Sequence, residues 1–200
     1  MNSILFITAL QSEAQPLIEF YRLEKKQINE KLFYYEKGSI YCLTTGVGER
    51  NVNKRLPDFL FNVSKNNMIL INVGIAGGKR DITEKGAMYL ISKIIDGNNG
   101  SARSTDIRLN SGLAELPLTT VSKGIDDGGK DFNGLVDMEA AAIFDIATQS
   151  SYIREMVFLK IVSDYMDKVL DSPEQVYPFI IKHLPEIDRI ISQLNNRKNY

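Results

Sequence analysis

Two rhythms of apolar and polar positions run along this chain. Short continuous apolar runs at Ile4–Leu10, Met68–Val73, Ala87–Ile95 and Met156–Val162 are bounded by polar or glycine residues and predict buried strands. Between them lie stretches with helical spacing. Ser12, with Gln15 three residues on, has the spacing of a capping box, and Pro16 falls in the first turn of the helix it opens. Leu17, Ile18, Phe20 and Tyr21 supply that helix with an apolar face. Residues 32–36 and 39–45 read as two strands turned by Lys37-Gly38, and a helix is expected from about Asn51 to Val63, kinked or started late at Pro57.

Further along, Gly77-Gly78 reads as a turn. Residues 97–134 hold half of the 14 glycines among Asn, Ser and Asp, and predict long loops around two short strands, Leu116–Val121 being the clearer. Leu135-Val136 leads through Asp137-Met138-Glu139 into an Ala-rich helix ending near Ser150. Ser172-Pro173-Glu174-Gln175 predicts a helix start, and Ile187, Ile190, Ile191 and Leu194 mark the buried face of a last helix. Strands alternating with helices predict an α/β protein, a three-layer α/β/α sandwich, and the Lys37-Gly38 hairpin makes its central sheet mixed. With 200 residues, no internal repeat and no linker, the expectation is one domain spanning residues 1–200.

Composition narrows the chemistry. Lys and Arg number 24 against 25 Asp and Glu, a net charge of −1 that gives no reason to expect nucleic acid or an anionic membrane as partner. A single cysteine, Cys42, excludes an internal disulfide and a multi-cysteine zinc site, and reads as an inert core thiol. A single histidine, His183, excludes a histidine-rich metal centre; its place before Leu184-Pro185 suggests a helix C-terminus. Asp126-Asp127 reads as a solvated turn, so no metal is expected. Gly46-x-Gly48 lacks the third glycine of a dinucleotide fingerprint, so no nicotinamide cofactor is expected. No apolar run approaches the ~18 residues of a membrane span, and Met1–Ile7 has no basic segment of a secretory signal, so a cytoplasmic protein is expected.

What remains is carboxylate chemistry. Ligands in open α/β sheets sit beyond the carboxyl ends of the strands, near helix N-termini. Glu13, Glu139 and Asp164 all fall at such places. The helix termini favour the charged form of Glu13 and Glu139, whereas Asp164, after Phe158, Leu159, Ile161 and Val162, is expected to be partly desolvated and suited to donating a proton.

Five blocks together resemble the nucleoside phosphorylase/nucleosidase superfamily. They are Ala9-Leu10-Gln11-Ser12-Glu13, Thr45-Gly46-Val47-Gly48, Asn72-Val73-Gly74-Ile75-Ala76-Gly77-Gly78, Val136-Asp137-Met138-Glu139 with its three alanines, and Ile161-Val162-Ser163-Asp164. The branch they resemble most is that of 5′-methylthioadenosine/S-adenosylhomocysteine nucleosidases. The resemblance implies a phosphorylase/hydrolase-like fold and hydrolysis of the N-ribosidic bond of a purine nucleoside, with no cofactor. It implies Glu13 as the group activating water, Asp164 as proton donor to the purine N7, and Glu139 with Met138 as ribose ligands. It also implies substrate contacts at Ile75, Gly77, Lys160 and, within the base-binding segment Val121–Ile125, Ser122. A homodimer is implied as well.

The chain departs from that pattern at three points. Lys160 stands where the nucleosidases carry arginine, which keeps the charge and loses the bidentate fork. Ile75 replaces a serine, and the segment from Ala87 to Asp137 is shortened. Two alternatives stay open: a phosphate-dependent phosphorylase, with Gly46–Gly48 N–H groups and Lys160, Arg50 or Arg80 as anion ligands, and a catalytically inactive nucleoside-binding module. Against the phosphorylase stands the repulsion between phosphate and an ionised Glu13.

Overall fold

The first apolar run becomes β1 (Ser3–Thr8), and its neighbours are β4 (Ile40–Thr44) and β5 (Met68–Gly78), both parallel to it. The structure is a computed structural model that describes residues 2–30, 32–63, 67–105, 109–167 and 175–197. From β4 the sheet continues antiparallel through β3 (Leu32–Lys37) to β2 (Glu24–Asn29), with Gly38 turning the β3–β4 hairpin at φ +62°. On its other side β5 pairs with β10 (Ile153–Asp164), which pairs in turn with β6 (Met88–Asp96). β7 (Ala102–Ser104) flanks β6, and β8 (Glu115–Thr120) runs from β6 to β9 (Leu135–Asp137), which returns to β5. The sheet is therefore mixed, as expected, and five of its strands close into a ring that the sequence did not reveal.

Helices cover both faces. α1 (Gln11–Tyr21) and α4 (Tyr177–Asn196) pack on one side, α2 (Glu49–Asn62) and α3 (Ala140–Gln149) on the other. Alternation along the strands divides the core accordingly. Ile4, Phe6, Ile69, Ile71, Val157 and Leu159 face α1 and α4, while Leu5, Ile7, Leu70 and Phe158 face α2 and α3.

Several local expectations are corrected. α1 is capped at Leu10 and not at Ser12: Glu13, at the third helical position, reaches back to the Leu10 N–H, and Pro16 lies in the second turn. Phe20 is exposed and only Leu17 and Ile18 of the apolar face are buried, with Tyr21 partly covered. α2 starts at Glu49 and runs through Pro57. Pro57 and Asn53, whose carbonyl loses its helical donor, are both exposed, so water can replace the missing bond. The same holds for Pro185 and Ile181 in α4, which is one helix where two were expected. His183 consequently lies mid-helix, its Nε2 2.8 Å from the Gly86 carbonyl oxygen. The expected start at Ser172–Glu174 lies outside the described residues. Gly77-Gly78 is no turn but the end of β5, paired with Val136 and Leu135 of β9.

Cys42 is fully buried, as expected, and the burial pushes its thiol up to about 12. β2 was not expected from the sequence, because EKKQIN has only one apolar residue and pairs along one edge alone.

Candidate active site

A cleft of about 240 Å³ opens beyond the carboxyl ends of β1, β5, β9 and β10, where this fold class places its ligands. Glu13, Glu139 and Asp164 all line it, together with Ile75, Gly77 and Met138. Val121, Gly124 and Ile125 from the expected base-binding segment line it too, whereas Ser122 is exposed and not part of the wall. Lys160 is only 2% exposed and lies behind the wall.

Glu13 is held by backbone alone. Oε2 accepts from the N–H groups of Ala9 (2.8 Å) and Leu10 (2.9 Å), and Oε1 accepts from Ile75 N–H at 2.9 Å. The carboxylate lies flat against β5 because Gly74 is there: a Cβ at that position would stand 2.8 Å from Oε1. Burial raises the pKa of Glu13, opposed by the Leu10 N–H, the Lys160 charge and the Ile75 and Ala9 N–H groups. A buried carboxylate with a raised pKa and fixed orientation is equipped to take a proton.

Glu139 precedes α3 as its N-cap residue, one step before the first turn in which it was expected. Its Oε1 accepts from Gly48 N–H at 2.6 Å, across the cleft from the start of α2, where Gly48 has φ +88°. Burial raises its pKa to about 7, reinforced by the Asp137 charge and relieved by Lys160 and the Gly48 N–H. For both glutamates, then, desolvation outweighs the helix-terminus effect that was expected to keep them charged.

Asp164 ends β10 half-buried, its Oδ2 accepting from Ser163 Oγ (2.7 Å) and Oδ1 from Met166 N–H (2.8 Å). These bonds fix the carboxyl group at the cleft wall.

Asp137 stood inside the Val136–Glu139 block with no role assigned, and the structure gives it one. Its Oδ2 is 2.9 Å from Lys160 Nζ and accepts from Ala140 N–H, while Thr120 Oγ–H donates to its Oδ1 at 2.7 Å. Thr120 Oγ1 accepts in turn from Ala141 N–H. Burial would lower the Lys160 pKa, but Asp137, Glu139 and Glu13 together raise it, so the ammonium stays charged. This link depends on β10 and β9 both pairing with β5, and such pairing is long-range information.

The anion ligands of the phosphorylase alternative are engaged by other protein groups or exposed. Arg80 pairs with Asp167 at 2.6 Å and stacks over Tyr165, Arg50 is exposed, and the Gly48 N–H is taken by Glu139. Among the described residues no group of His, Cys, Asp and Glu is arranged to hold a metal ion, and Asp127 accepts from Gly129 N–H within its own loop. No described helix is long and apolar enough to cross a membrane.

The fold is one that solved nucleosidases share. The apo 5′-methylthioadenosine nucleosidase of Arabidopsis thaliana superposes with a TM-score of 0.78 at 19% identity, covering 99% of this chain and 98% of that one. A Helicobacter pylori nucleosidase variant with 5′-methylthioadenosine in its active site gives 0.79 at 12% identity, over 96% and 99%. A Chlamydia trachomatis nucleosidase bound to methylthioadenosine gives 0.71 at 18%, over 95% and 100%. No family model matches the sequence. No curated protein matches it either.

Proposed function

We propose that this chain is an N-ribosyl hydrolase that cleaves a purine nucleoside of the methylthioadenosine/adenosylhomocysteine type with water. The observation that carries the reading is the meeting in one cleft of Glu13, buried on three backbone N–H groups, with Asp164 and Glu139. Breaking the N-ribosidic bond builds positive charge at C1′ and negative charge on the departing base. Asp164 donates a proton to N7 and neutralises the base as the bond breaks. Glu13 takes a proton from water, whose oxygen attacks C1′, so the products are free base and free sugar. Glu139, with Oε1 held by Gly48, offers Oε2 to the ribose hydroxyls, and Met138 lies beside it. The division of labour between carboxylates is that of glycoside hydrolysis.

Lys160 acts in this scheme as a buried counter-charge and not as a direct ligand. Water is favoured over phosphate because the cleft wall carries the carboxylates of Glu13, Asp137, Glu139 and Asp164, while Arg80 and Lys160 are each paired with an aspartate. The reading extends to a cofactor-free cytoplasmic enzyme of one domain, working as a homodimer. Its test is chromatographic: methylthioadenosine, S-adenosylhomocysteine, adenosine and inosine are incubated with and without phosphate. Base released without phosphate is expected, and binding without release under either condition would mark a nucleoside-binding module.

A further inference from the structure

Two residues beyond Asp164, Met166 has a left-handed backbone with φ +58°, a conformation side chains rarely adopt. Its N–H donates to Asp164 Oδ1 at 2.8 Å, and its carbonyl accepts from Gly128 N–H at 2.7 Å. One backbone unit thus ties the candidate acid to the loop that follows β8. The side chain is 1% exposed and packs into a notch made by two glycines. A Cβ at Gly77 would come within 2.6 Å of Met166 Cγ, and a Cβ at Gly129 would collide with Sδ and Cε. Around it Val121 and Val136 complete a small apolar cluster, separate from the two large cores, with Ile125 packed against it. All four residues line the cleft.

We infer that Met166 is the specificity-determining residue of the base end of the cleft, closing it to purines that carry a bulky substituent at the 6-position. This rests on the nucleosidase reading in one respect, the placing of the purine N7 against Asp164. N7 and the 6-substituent lie along one edge of the purine. A side chain bonded through its own backbone to the acid that meets N7 therefore borders that edge. Methionine fills irregular gaps and packs against ring edges, so it accepts a flat base with a small exocyclic group and leaves no room for an added ring.

The test uses binding of free bases, which requires no turnover, alongside hydrolysis of methylthioadenosine. Adenine and N6-benzyladenine are titrated calorimetrically against the wild type, Met166→Gly and Met166→Leu. Glycine accepts the left-handed backbone without strain and removes the side chain, while leucine keeps the volume. Wild type and Met166→Leu are expected to prefer adenine. Met166→Gly should shift the adenine-to-benzyladenine preference by about 10-fold or more toward the larger base, the scale on which an apolar pocket discriminates ligands by size. A preference unchanged in Met166→Gly, with thermal unfolding showing a folded protein, overturns the inference. If wild type still hydrolyses methylthioadenosine in that case, the nucleosidase reading stands without it. A wild type that binds neither base and releases none overturns both.

Discussion

Lys160 and Asp137 form an ion pair of 2.9 Å with their side chains 2% and 1% exposed, at the wall of the cleft that Asp137 lines together with Glu13 and Glu139. Three carboxylates and one ammonium share this buried space. The ammonium pairs with Asp137 directly, and its charge favours the ionised forms of Glu13 and Glu139. Asp137 fixes it there, while Thr120 and the Ala140 N–H fix Asp137. The pair is thereby a joint between β8, β9, β10 and the start of α3.

Removing one partner leaves a buried charge uncompensated. Lys160→Met is expected to lower the unfolding free energy by about 3–5 kcal/mol. Adding Asp137→Asn to it should restore a large part of the loss, because the uncompensated charge goes with it. Urea unfolding of the two single variants and the double variant measures this coupling. Additive losses would mean that the two side chains do not depend on one another.

Glu139→Gln bears on pH dependence. The folded-state pKa of Glu139, about 7, lies above its ordinary value of 4.5. Between these values the unfolded chain gives up the proton first, so ionisation favours unfolding and stability falls as pH rises. Below the window both states are protonated and above it both are ionised, so the effect is absent at low pH and levels off at high pH. Wild-type stability should therefore decline from pH 4.5 to about 7 relative to Glu139→Gln, measured by urea unfolding across that range. Parallel profiles would contradict the assignment.

Glu13→Gln should lower base release by about 10²–10⁴-fold, the usual contribution of a positioned base. It should also cost about 1–3 kcal/mol of stability, since an amide NH2 would face a backbone N–H in place of an acceptor. Binding of adenine is expected to persist. Release rates close to wild type would remove Glu13 from the mechanism.

Gly74→Ala tests the same carboxylate from the other side. The added methyl would stand 2.8 Å from Glu13 Oε1 and push it off the Ile75 N–H. Turnover should fall by about 10²-fold, the scale of a misplacement of about 1 Å, with substrate affinity less affected. An unchanged rate would show that the close approach of Glu13 to β5 does not matter for catalysis.

Asp164→Asn keeps the shape of the side chain and one acceptor oxygen, and loses the proton to donate. Base release is expected to drop by about 10²–10⁴-fold while nucleoside binding survives. A pre-activated substrate, whose leaving group needs no proton, should be hydrolysed by Asp164→Asn and wild type at similar rates. Equal losses on both substrates would assign Asp164 a merely structural part.

Local features were the legible ones. The β3–β4 hairpin was visible because Gly38 separates two apolar runs, and three of the four cleft carboxylates, Glu13, Glu139 and Asp164, because each follows an apolar strand. The ring of β5, β10, β6, β8 and β9 was not, since its closure depends on which strands meet and not on any one segment. Gly77-Gly78 misled for a related reason: glycines there serve close approach, Gly77 to Met166 and Gly78 to Val162, and not a turn. The direction of the Glu13 and Glu139 shifts depended on depth of burial, which helix position does not encode. Lys160 was recognisable as a charge at a notable place, but its partner lies on another strand.

The central claim is that water, activated at Glu13, attacks C1′ while the base departs protonated. Incubating the enzyme with methylthioadenosine in heavy-oxygen water, in the presence of phosphate, tests it most directly by the mass of the released sugar. The account predicts free sugar carrying solvent oxygen at C1′, at a rate indifferent to phosphate and lost in Glu13→Gln. A sugar 1-phosphate free of solvent oxygen would contradict it and make phosphate the nucleophile.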